Sequence, residues 1–184
     1  MIYPIVLFGD PVLKKKAETI KPGDYDMEQL IADMFETMDA ANGVGLAAPQ
    51  IGLSIRLFVI DTAPMQDDEN DGVRKAFINP EIVDEYGEEW AFEEGCLSIP
   101  GIREDVVRPE TIKIKYQDTN WNWHEEELTD MKARVIQHEY DHIEGILFTD
   151  YLSAFKKRLL KNKLANISKG IVSADYRVKA PLKR

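Results

Sequence analysis

The sequence has a single cysteine, three histidines and no long apolar run. One cysteine, Cys96, excludes an intrachain disulfide; taken alone, it reads as a small buried hydrophobe. No segment approaches the ~20 apolar residues of a transmembrane helix. The N-terminal stretch IYPIVLF contains a proline and has neither a basic n-region nor a small-residue cleavage site. It does not read as a signal peptide, and no Arg-rich stretch reads as a transit peptide, so a cytoplasmic protein is expected. No internal repeat and no linker composition divides the chain. One domain over 1–184 is expected, with a core of about 1–150.

Positive charge is scarce except at one end. The chain carries a net −10. From Ala154 to Arg184, ten Lys/Arg oppose Asp175 alone, a net of +9, which leaves −19 on the rest. A basic block on an acidic body fits a polyanionic partner such as RNA. The plainer alternative is a solvated helix face that offsets the acidic body.

Hydrophobic periodicity places the elements. Residues 24–43 read as an amphipathic helix through Leu30, Ile31, Met34, Phe35 and Met38, with Asn42-Gly43 as its stop. IRLFVID (55–61) reads as a strand, 65–73 as an acidic loop, and 75–85 as extended chain, with a strand or two near Trp90. TIKIKYQD (111–118) and NWHEEEL (122–128) form an expected hairpin around Thr119-Asn120. A helix from about Thr129, as N-cap, to Gly145 follows. The last helix, about Ser153 to Ile167, sets Phe155, Leu159, Leu160, Leu164 and Ile167 against lysines, and the chain ends in a short strand within 169–178. The fold class is α+β: mixed or antiparallel sheets around a central helix, with a basic helical extension over about 153–184.

Two motifs fail on context. GVGLAA (43–48) matches a dinucleotide fingerprint, but that mechanism needs a strand before the glycines and a helix after them. Here a helix precedes and Pro49 follows. DDENDG (67–72) hints at a calcium loop, but Glu69 and Ile78 stand where Asp or Asn and a Glu are required.

The stretch QHEYDH (137–142) is different. His138 and His142 are four apart, so on a helix they share one face and chelate one cation, with Glu139 beside them. A catalytic metal takes about three protein ligands and leaves a position open. Downstream of His142 there is no histidine, and Glu144, Asp150 and Asp175 lack the placement of a third ligand. His124 remains possible, on a hairpin strand. Cys96, in EEGCLSIPG (93–101), offers a thiolate on metal binding, and thiolate with two imidazoles and water is a coherent set.

Together GVGLAAPQ (43–50), EGCLS (94–98) and QHEYDH (137–142) resemble the three signature motifs of peptide deformylase, in order and without departure. The resemblance implies a metal-dependent hydrolase that removes formyl from the N-terminal formyl-methionine of new polypeptides. Its ligands would be Cys96, His138 and His142, and its ion Fe(II), replaceable by Zn, Ni or Co. Glu139 would be the acid/base. Gln50 and the Leu97 N–H would stabilise the oxyanion, and Val44 and Gly45 would touch substrate; Val135, one turn before His138, is on the helix face that would either complete that pocket or pack in the core. Its partners would be nascent formyl-Met peptides, with ribosomal RNA contacted through the basic segment; neither membrane nor DNA is expected. The rival readings are a zinc endopeptidase and a non-catalytic, metal-stabilised RNA- or ribosome-binding module.

Overall fold

A computed structural model describes residues 1–182. Lys183 and Arg184 of the basic segment, and the side chain of Glu69, lie outside what is described.

The strand β3, Leu57–Asp61, divides the core. Leu57 and Val59 join a cluster with helix α1 (Met27–Ala40), while Phe58 and Ile60 join one with helix α2 (Asp130–Ile143). Side chains alternate along a strand, so a strand covered on both faces reads as an unbroken apolar run. It belongs to an antiparallel five-stranded sheet ordered β2 (Gly45–Ala47), β3, β4 (Arg74–Cys96), β5 (Ile99–Gln117) and β6 (Trp123–Thr129). A separate two-stranded parallel pair joins β1 (Ile5–Val6) to β7 (Val178–Lys179). The α+β architecture expected from the sequence is present.

Several boundaries differ from the periodic reading. Helix α1 starts at Met27 because the Asp26 side chain accepts from the Gln29 N–H, an N-cap that sets the first turn. The extended segment 75–85 and the strands near Trp90 are one strand, β4, and 111–117 is the last part of β5. Both strands are interrupted by register shifts, which bend the long hairpin and erase a clean period of two. Thr129 precedes α2, but its side chain makes no cap bond and contacts Asp130 instead.

A third cluster joins Val6, Leu7 and Leu13 to Ile99, Ile102 and Phe148, and to Leu160 and Ile167 of helix α3 (Ala154–Ser168). Phe155 and Leu159, expected on that apolar face, are each 65% exposed. Leu159 lies one position before Leu160, about 100° round the helix, and Phe155, one turn earlier, is farther still from the 160/164/167 stripe.

The last turn of α2 is fixed from outside. Arg56 donates to Ile143 O at 3.3 Å and to Glu144 Oε1 at 2.6 Å, setting a cation where the helix presents its free carbonyls.

Candidate metal centre

The tip of the β4–β5 hairpin delivers the cysteine. Cys96 is the last residue of β4 and pairs with Ile99, so Leu97 and Ser98 form a two-residue turn. Between the Gly95–Arg103 and Cys96–Ile99 pairs, Pro100, Gly101 and Ile102 bulge from β5. Bulges beside active sites re-aim side chains, and this one carries the tip onto α2. There the ligand atoms of Cys96, His138 and His142 lie within 4.8 Å of one another. Cys96 Sγ is 3.4 Å from His142 Nε2, and the two imidazoles meet edge to face at 5.1 Å.

Glu94 orients the first histidine. It lies two residues before Cys96, on the same face of the strand, and its Oε1 is 2.9 Å from His138 Nδ1. That leaves His138 Nε2 for the cluster. Glu94 is 4% exposed and accepts from Arg108 Nε at 2.8 Å, Arg108 Nη2 at 3.0 Å and Arg134 Nη1 at 2.9 Å. Burial alone would raise its pKa, but the His138 and Arg108 hydrogen bonds hold it well below the usual carboxylate range. Arg108 continues to Asp141 at 2.9 Å, which also accepts from the Tyr151 hydroxyl. Glu94, Arg108 and Arg134 are not among the site residues expected from the sequence; the strand spacing of Glu94 and Cys96 is the signal that points to Glu94.

Glu139 is buried, and burial pushes its carboxyl up to about 7. Its Oε2 has no hydrogen-bond partner. A β-carbon on Gly45 would come 2.5 Å from Glu139 Oε1, so only glycine admits the carboxylate there. Gln50 is held with its Oε1 accepting from the Ala47 N–H at 2.9 Å. That turns its amide nitrogen toward Cys96 Sγ at 3.5 Å and Ser98 Oγ at 3.2 Å.

The donor set fits a divalent cation. Burial keeps His142 neutral, with its pKa well below the ordinary value, and a neutral imidazole is the ligating form. Burial would also lower His138, but hydrogen bonds to Cys96 and Glu94 raise it well above its ordinary value. A soft thiolate with two imidazoles suits first-row metals such as zinc or iron.

These groups face a cavity of about 650 Å³. Val44, Gly45, Gln50, Leu97, Val135 and Glu139, all singled out from the sequence, line it. His142 lies behind them, 1% exposed. His124 is elsewhere, paired with Asp118 at 2.6 Å and stacked on Tyr116. The described helices include none long and apolar enough to cross a membrane.

The profile of the polypeptide deformylase family matches residues 2–158. The chain is similar to the peptide deformylase of Cytophaga hutchinsonii, 61% identical over 184 residues and covering all of both chains. It is 57% identical to that of Christiangramia forsetii over 190 residues, covering 98% of this chain and 97% of the relative. Among solved structures, the peptide deformylase of Thermus thermophilus superposes with a TM-score of 0.83 at 41% identity, covering 92% of this chain and 99% of that one. A plant peptide deformylase reaches 0.83 at 33% identity, covering 95% and 96%. This chain belongs to the polypeptide deformylase family.

Proposed function

We propose that this protein hydrolyses the N-terminal formamide of formyl-methionyl polypeptides, releasing formate, with one divalent metal ion held by Cys96, His138 and His142. The supporting observation is that Cys96, His138 and the buried Glu139 line one cavity of a deformylase-family chain, with the His142 imidazole clustered with Cys96 and His138 just behind it. An endopeptidase of the H-E-x-x-H type would draw a carboxylate or imidazole as third ligand, and the cluster among the described residues draws a cysteine.

Cys96, His138 and His142 would hold the ion, and when bound it would supply Lewis acidity for activating water and stabilising negative charge. Glu139 accepts the water's proton as the new C–O bond forms at the formyl carbon. It then returns that proton to the methionine nitrogen as the C–N bond breaks, giving formate and a free amine. The Gln50 side-chain amide and the Leu97 N–H donate to the oxyanion that develops on the formyl oxygen. Val44, Gly45 and Val135 form the wall against which the methionine side chain rests. Glu94 holds His138 in the tautomer that turns Nε2 toward the ion.

Ferrous iron is the ion we assign from family resemblance, with zinc, nickel or cobalt able to replace it; the donor set alone suits several. The catalytic core spans about 1–150, and the protein works in the cytoplasm on nascent chains. The basic face of α3 docks on ribosomal RNA, an attraction that weakens steeply with salt. The test of the reaction is formate release from a formyl-Met peptide by anaerobically prepared wild type and Glu139→Ala. Turnover by the wild type alone supports it; none from metal-loaded wild type refutes it.

A further inference from the structure

We propose that Tyr176 is a positioning residue for this hydrolytic site, carried there by the C-terminal segment. The inference rests on the deformylase reading above. After α3 the chain reverses at Gly170, whose φ of +78° suits glycine. The Ile171 N–H closes the reversal on Asn166 O at 2.9 Å. The chain then returns along the cavity, where Ser173, Ala174, Asp175 and Tyr176 line the same space as Cys96 and Glu139. It ends in β7, whose pairing with β1 ties the segment to the body.

The Tyr176 hydroxyl donates to Leu97 O at 2.7 Å, and its half-buried ring packs against the α1 cluster. The next carbonyl, Ser98 O, accepts from the Phe8 N–H at 2.9 Å. Phe8 lies two residues past β1, so the tip between Cys96 and Ile99 is gripped from both members of the β1–β7 pair. Leu97 and Ser98 are the whole of that turn, and the peptide they share carries the Leu97 carbonyl that Tyr176 holds. An oxyanion donor is effective only when its direction is set beforehand. The Leu97 N–H belongs to the preceding peptide, so Tyr176 acts on it through the Leu97 α-carbon. The peptide after that carbon is held by Tyr176, and Cys96 before it is held by its pairing with Ile99, which limits the rotation that would re-aim the N–H. The phenol of tyrosine is protonated at neutral pH and remains a donor.

Tyr176→Phe removes this one bond and keeps the ring. In the full-length, metal-loaded protein, kcat on a formyl-Met peptide should fall about five- to thirtyfold, less than the ~10²–10³ for a lost oxyanion donor. KM should stay within about twofold, since ground-state binding is untouched. Metal per chain should be unchanged, and Tm should move by no more than about 4 °C, the scale of one hydrogen bond. Hydrogen exchange at Leu97–Ile99 should quicken with or without metal. A wild-type kcat in Tyr176→Phe overturns the proposal, as does a loss of kcat that tracks loss of metal or of folded protein. An inactive wild type defeats the deformylase reading instead, and unchanged exchange at the tip then defeats the anchoring separately.

Discussion

The Glu139 carboxylate occupies space that any side chain at Gly45 would claim: a β-carbon there would lie 2.5 Å from Oε1 and 2.8 Å from Cδ. The glycine of β2 and the carboxylate of α2 are therefore fitted to each other across the cavity.

Gly45→Ala should push Glu139 from its position without touching a metal ligand. Misplacing a reacting group by about 1 Å typically costs on the order of 10²-fold. We expect a kcat loss of about 10–100-fold with metal stoichiometry unchanged, read by formate release and elemental analysis.

Removing the Glu94 charge should damage both fold and site. Glu94→Gln leaves Arg108 and Arg134 buried without their shared carboxylate. Breaking such a pair typically costs about 3–5 kcal/mol, and losing an orienting partner of a ligand weakens metal binding about 10–100-fold. Chemical denaturation and chelator competition measure the two effects separately.

The third ligand can be assigned by difference. Cys96→Ala should lose bound metal, while His124→Ala should retain it, because His124 sits with Asp118 and Tyr116 rather than in the cluster. Elemental analysis of both purified variants decides the matter, and metal retained by Cys96→Ala would return the third position to another residue.

Ribosome docking should depend on α3 charge. Deleting the basic segment is a poor test, because Leu160 and Ile167 are core residues and Tyr176 lines the cavity. Replacing Lys157, Arg158 and Lys161 with Glu instead should abolish co-sedimentation with ribosomes at low salt and leave peptide deformylation unchanged. Undiminished co-sedimentation would remove the basic helix from the interaction.

The candidate site was more legible in the sequence than the fold around it. His138, Glu139 and His142 sit within one helical turn and a half, where spacing translates directly into geometry. Cys96 was reachable by ligand chemistry and by the motif that contains it. Glu94 was legible in principle, two residues before Cys96 on a strand, but Arg108 and Arg134 reach it from β5 and α2 through contacts that no local pattern encodes. The long β4–β5 hairpin was hidden by its register shifts, which break the alternation that marks a strand. The short strand expected within 169–178 is found as β7 at that segment's end, but its pairing with β1 joins opposite ends of the chain and no local pattern encodes it.

The central claim is that Cys96, His138 and His142 hold a metal beside Glu139 to cleave a formamide. Formate release from a formyl-Met peptide, with metal content measured on the same anaerobic samples of wild type and Glu139→Ala, tests it most directly. The account predicts about one metal ion per chain in both proteins, turnover in the wild type, and a loss of about 10²–10⁴-fold in the variant, the range for a general acid/base. Formate released equally by both proteins, or by neither at full metal occupancy, would contradict it.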